Sequence, residues 1–175
     1  MTYRWTYMYS KQCKLSVRTA LCIGALSFLP LTAQALLQAC AVVTGGVAFG
    51  SYSFINAAPA AAVGNLQITC SLLSGLAGET VSYDISLSTG NSGSYLSRSM
   101  TSGIYQLQYN LYTQSGANTP VWGDGTSSTS TVQDSYTLAL LGTTVRNYPV
   151  YGYITSGQNK PIGAYVDNLT VTVNY

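Results

Sequence analysis

Hydrophobic and polar residues alternate with a period of two along most of the chain. Leu66, Ile68 and Cys70 alternate with Gln67 and Thr69. Val81, Tyr83, Ile85 and Leu87 alternate with Ser82, Asp84 and Ser86. Leu107, Tyr109 and Leu111 enclose Gln108 and Asn110, and Leu169, Val171, Val173 and Tyr175 enclose Thr170, Thr172 and Asn174. Each run predicts a strand with one buried and one wet face. Further strands are expected near residues 47–52, 135–140 and 149–154. Glycine clusters at 45–46, 90–93, 123–125 and 156–159 separate the runs as turns. No segment carries a helical period; the alanine-rich stretch 57–63 has Pro59 in its middle and Gly64 after it. About seven short strands in one domain predict an all-β, antiparallel sandwich.

The first 35 residues depart from this pattern. They hold Arg4, Lys11, Lys14 and Arg18 and no acid, then an apolar run over residues 20–31, then Ala33-Gln34-Ala35. Basic region, apolar region and small residues at Ala33 and Ala35 follow the order of a cleavable secretory signal. The run of about 12 residues is shorter than the roughly 20 that cross a bilayer. A buried helix would instead need a polar face, which this run lacks. The expected organisation is a signal at 1–35, started at Met1 or Met8, and one domain at 36–175, with no transmembrane segment after processing.

That division changes the charge. The formal charge of +2 counts seven Lys and Arg, and four of them lie in the signal. Arg98, Arg146 and Lys160 remain against Glu79, Asp84, Asp124, Asp134 and Asp167, three cations against five acids, a net charge of −2. Three cations do not make a nucleic-acid surface. Of the four cysteines, Cys40 and Cys70 lie beyond the signal, and an even pair in an oxidising compartment predicts a disulfide. The rival readings, a metal site or a redox pair, lack a histidine and a Cys-x-x-Cys spacing.

Catalytic chemistry is sparse. With no histidine, neither a Ser-His nor a Cys-His nucleophile system can form. Asp124 within Trp122-Gly123-Asp124-Gly125 suits a turn better than a calcium loop, which needs several oxygen ligands in sequence rhythm. Asn168-Leu169-Thr170 fits a glycosylation triplet but is expected inside a strand. The fifteen tyrosines suit cross-strand packing, with sugar stacking as the rival use. No cofactor and no enzymatic activity are expected.

Several stretches in order resemble one family. They are Cys40-Ala41-Val42, Phe49-Gly50-Ser51-Tyr52, Leu66-Gln67-Ile68-Thr69-Cys70, Tyr83-Asp84-Ile85-Ser86-Leu87-Ser88 and Arg98-Ser99-Met100. Leu107-Gln108-Tyr109-Asn110-Leu111-Tyr112, Val121-Trp122-Gly123-Asp124-Gly125, Val150-Tyr151-Gly152 and Gly163-Ala164-Tyr165-Val166-Asp167 follow, running into Val171-Thr172-Val173-Asn174-Tyr175. Together they resemble the spore coat protein U domain of archaic, Csu-type chaperone–usher pilins, over residues 40–175.

The resemblance implies an immunoglobulin-like sandwich that lacks its closing strand. A periplasmic chaperone fills the groove first; a neighbouring pilin subunit's strand then replaces it at an outer-membrane usher, for display on the cell surface in adhesion or biofilm. The physics is β-augmentation of an open edge. Leu169, Val171, Val173 and Tyr175 are the expected chaperone and subunit interface, with Tyr175 as terminal anchor. A run ending at Tyr175 fits an open sandwich and equally a complete one. Only Leu36, Leu37, Gln38 and Ala39 would precede Cys40, about 14 Å of chain, too short for a donor strand. The subunit is therefore expected to accept a strand without giving one, as at a tip or an initiating position. The alternative is a stand-alone secreted sandwich, either a surface-coat protein or a carbohydrate binder using tyrosines and Trp122.

Overall fold

The structure, a computed structural model, describes residues 8–9, 37–56, 58–74, 78–116 and 120–175. The predicted cleavage residues Ala33 and Ala35 and the apolar run before them lie outside these residues. The strands are β1 (Met8–Tyr9), β2 (Leu37–Thr44), β3 (Ala60–Ser74), β4 (Glu79–Leu87), β5 (Arg98–Ser102), β6 (Tyr105–Tyr112), β7 (Val132–Leu138), β8 (Thr143–Ile154) and β9 (Thr170–Asn174), with a single 3-10 turn at Gly90–Ser92. They form two sheets, in the orders β1-β9-β4-β7 and β2-β3-β8-β6-β5. All pairs are antiparallel except β1 with β9. The fold is an all-β sandwich.

The alternating runs lie in β3, β4, β6 and β9, and their apolar members form the core. Leu66, Ile68, Val81, Ile85, Leu107 and Leu111 are each at most 1% exposed. Burying a Leu or Ile side chain is worth about 1.5–3 kcal/mol, so these positions fix the register. A one-residue slip would turn them all to water. Trp122 fills the centre and donates its indole N–H to the Ile85 carbonyl at 3.0 Å.

Three features correct the sequence reading. Residues 47–52 form no strand, although Val47 and Phe49 are buried. There β3 and β8 pair with each other, Ala62 opposite Gly152 and Gly64 opposite Val150, so no edge is free between them. The segment crosses by side-chain packing instead. A Cβ on Gly152 would lie 2.7 Å from the Phe49 ring, and one on Gly64 2.2 Å from the Gly46 carbonyl oxygen. Second, β2 and β5 were not anticipated. From Ala39 to Thr44 β2 alternates in burial but not in hydrophobicity, and β5 buries Arg98, Ser99 and Met100 consecutively. Third, Asn168 is exposed and precedes β9, which begins at Thr170.

Cys40 and Cys70 are bonded and stand directly opposite each other on β2 and β3. The bond is buried and closes 30 residues. Loop-closure entropy assigns such a bond about 3.6 kcal/mol. Replacing both cysteines with serine should lower the denaturant-unfolding free energy by about that amount, and reduction of the native protein should match the double variant.

Candidate functional site at the edge of the four-stranded sheet

The approach to β9 is anchored by a buried carboxylate. Asp167 is wholly buried; its Oδ1 accepts the amides of Asn91 (2.8 Å) and Asn168 (2.9 Å), and its Oδ2 accepts the Tyr109 hydroxyl at 2.7 Å. Gly90 makes this possible. Its φ is +68°, and a Cβ there would lie 2.2 Å from Asp167 Oδ2. Just upstream, Val166 exchanges both backbone hydrogen bonds with Thr101 at 2.8 and 3.0 Å. Just downstream, Ser88 takes the Thr170 amide on its hydroxyl at 2.9 Å and gives its own amide to the Thr170 carbonyl at 2.9 Å.

Arg98 secures the other side of that junction. Its guanidinium is wholly buried and donates to the Ser88 carbonyl (3.1 and 2.8 Å), the Trp122 carbonyl (2.7 Å) and Asn110 Oδ1 (2.8 Å). The Tyr95 ring lies 5.3 Å from its central carbon. Burial pushes the Arg98 pKa down, while Asp167 favours its charge. Sequence alone marked Arg98 and Trp122 without giving them a task. The structure shows one: they join the end of β4, β6 and the Trp122 segment.

β9 then presents an edge. Toward β4 it pairs from Val171 opposite Leu87 to Asn174 opposite Asp84. The Thr170 carbonyl points at Ser88. Backbone groups alternate sides along a strand, so those of Val171 and Val173 point away from β4. On that outer side, among the described residues, Met8 pairs with Thr170 and Tyr9 with Val171, in parallel, and nothing pairs further along.

The predicted interface residues divide. Leu169 and Val171 are 1% and 5% exposed, so their side chains belong to the core; Val173 packs partly against it. Tyr175 is 49% exposed and follows the strand. Only Val171 and Val173 lie within β9; Leu169 precedes it and Tyr175 follows it. Trp122, a candidate sugar platform, is wholly buried and cannot serve. Asp124 makes a local turn, accepting the Thr126 amide at 2.9 Å and hydroxyl at 2.6 Å, and those bonds hold its carboxyl below its usual range. Among the described residues, no group of three or more His, Cys, Asp or Glu could hold a metal, and no helix is long and apolar enough to cross a membrane.

A tyrosine cluster escaped the sequence reading. Tyr83 and Tyr148 share a hydroxyl hydrogen bond at 2.5 Å, and Tyr148 donates to Asp134 Oδ2 at 2.6 Å. Arg146 lies 3.6 Å from that oxygen and 4.8 Å from the Tyr136 ring. Alternation places Tyr83 inside, but its partners lie 53 to 65 residues away and no local spacing announces them. Burial pushes all three tyrosines up, Tyr148 to about 12.

The geometry defines a two-sheet sandwich with a polar-pinned junction and one strand edge paired over two residues. The chain belongs to the Spore Coat Protein U domain family, whose model matches residues 26–172. That span starts inside the predicted signal. No curated protein matches the chain. Eight chains of solved structures do. One is the CsuC–CsuE chaperone–tip adhesion subunit pre-assembly complex from archaic chaperone–usher Csu pili of Acinetobacter baumannii. It is 21% identical, with a TM-score of 0.46, over 79% of this chain and 40% of that one. The chain therefore spans well under half of that solved chain.

Two outcomes are expected. Arg98→Met strips the Ser88 and Trp122 carbonyls of their donor, leaves Asn110 Oδ1 with the Leu111 amide, and should cost about 3 kcal/mol or more in unfolding free energy. Arg98→Lys keeps the charge but loses the fork, and should cost about 2 kcal/mol. A group whose folded pKa is raised stabilises the fold below its unfolded pKa and loses that contribution as pH rises through the folded value. The Tyr148 contribution should hold below pH 10 and disappear toward pH 12, so alkaline unfolding and late tyrosinate absorbance should coincide in that window.

Proposed function

We propose that the chain is an exported, non-enzymatic structural subunit of a chaperone–usher surface pilus, and that β9 accepts a strand from a partner. Membership of the Spore Coat Protein U family supports the class. The observation that carries the reading is β9 itself, whose Val171 and Val173 backbone groups face outward beside a two-residue partner. That partner, Met8–Tyr9, lies in the segment read as a signal. Cleavage after Ala35 removes it and bares the edge. An added strand would satisfy those groups and cover the partly buried Val173. A periplasmic chaperone supplies it first; a neighbouring subunit follows at the outer-membrane usher. The protein's path runs from periplasm to cell surface.

β2 is already committed to β3 from Leu37 opposite Ser74 onward. After cleavage at Ala35, Leu36 alone would precede β2 in the chain. The subunit accepts a strand and has none to give, as suits a tip or an initiating place.

Periplasmic expression of the whole chain, with and without the chaperone encoded nearest its gene, tests this. The expected result is aggregation or degradation alone and a one-to-one complex with the chaperone. A stable, cooperatively folding monomer that ignores the chaperone overturns it. Val173→Pro removes an outward amide while sparing the β4 ladder, an edge position where proline is tolerated. It should abolish chaperone capture, with the processed chain lost as when expressed alone. A processed form with a long free N-terminal arm would contradict the acceptor-only position.

A further inference from the structure

The outer face of the five-stranded sheet carries a cleft over β6 and β8. Its volume is about 290 Å³, and Leu96, Ser97, Gln108, Tyr112, Tyr153 and Thr155 line it. Tyr112 and Tyr153 meet edge to face at 5.6 Å and 72°. Leu96 is 71% exposed at the rim. Among the described residues, the side-chain polar groups of Ser97, Gln108 and Thr155 enter no hydrogen bond. None of the nine lining residues, which also include Pro59, Tyr109 and Asn110, is charged.

The cleft is preformed. Tyr153 is held through its hydroxyl, which accepts the Gly116 amide at 2.8 Å. The Gln158 side chain clamps the Gln108 backbone, accepting its amide and donating to its carbonyl, both at 2.8 Å. The Gln158 amide in turn donates to the Tyr52 hydroxyl at 2.8 Å. Ordering that precedes binding is not charged to the ligand.

We infer that this cleft binds a neutral saccharide of one or two rings. Three properties select that class. Aromatic and aliphatic walls take the carbon–hydrogen face of a pyranose. Unused amide and hydroxyl groups take its hydroxyls as donors and acceptors. The absence of charge in the lining gives no advantage to an anionic or cationic ligand. The volume is near the lower bound of ligand pockets, roughly 300 Å³, which limits the ligand to a short unit. A protein strand is excluded as occupant because β6 pairs on both sides, with β5 and β8. The cleft lies on the sheet opposite β9, so a strand at the β9 edge leaves it open. The inference stands independently of the assembly proposal.

The test uses the processed protein as exported, bound to its chaperone where that is the soluble form. The probes are methyl glycosides of glucose, galactose and N-acetylglucosamine, their β-linked disaccharides, and a sialylated disaccharide as charged control. Saturation-transfer NMR and titration should detect at least one neutral probe and a weaker sialylated one. Tyr112→Ala should weaken binding about tenfold or more, the equivalent of one lost stacking contact. Tyr112→Phe should retain it. If Tyr112→Ala fails to fold, Gln108→Ala and Leu96→Ser at the rim supply the same readout. No transfer to any neutral probe, or affinity unchanged in the folded variants, overturns the inference. Chaperone capture is measured separately, so loss of sugar binding and failure of the assembly reading are distinguishable.

Discussion

Arg98 is the side chain on which the rest of this sandwich depends. Desolvating a guanidinium costs several kcal/mol, and the fold offsets that cost by giving its fork three acceptors from separate parts of the chain. Ser88 lies at the end of β4, Asn110 on β6, and Trp122 beyond the loop after β6. Apolar burial fixes which face of each strand turns inward but is not directional between segments. A fork with fixed donor directions is. Asp167, equally buried, works from the β9 side through Asn91 and Tyr109. Ser88 ties Arg98 to the edge strand: its carbonyl accepts from Arg98, its amide donates to the Thr170 carbonyl and its hydroxyl accepts the Thr170 amide. The edge strand is positioned by this polar junction as much as by its apolar residues.

What could be read in advance follows from how local each signal is. β3, β4, β6 and β9 were legible because one face is buried along the whole run, and burial writes itself as alternation. β5 was not, because Arg98, Ser99 and Met100 are all buried and a strand covered on both faces loses its period. Val47 and Phe49 gave the correct burial and the wrong element: two apolar residues spaced by one look identical whether they pair through backbone or drop over glycines at 64 and 152. The disulfide was legible from number and compartment. At the site, the apolar alternation located β9, but which backbone groups face outward required the Ser88 bond. The tyrosine cluster and the cleft depend on residues brought together from distant strands, and only pairing reveals them.

The molecule separates closed surfaces from an available one. Gln158 extends the β6 ladder past the end of β8 with a side-chain amide, occupying backbone groups of Gln108 that would otherwise be left open. At β9 no side chain plays that part among the described residues. Unpaired strand edges invite association; here one is capped internally, while the other, among the described residues, is paired only at Thr170 and Val171.

The placement of the disulfide has a mechanical consequence. Fraying of β2 from β3 at its N-terminal end would begin at Leu37, the first residue of their ladder. Only Leu37, Gln38 and Ala39 precede the Cys40–Cys70 bond in that ladder. Fraying halts after three residues at a covalent link to β3, the longest strand among the described residues, which pairs with the central β8 from Ala60 to Ser71. Hydrogen bonds that could open one after another from this end are thereby limited to the first three residues, and the rest of the ladder can open only with its covalently tied partner.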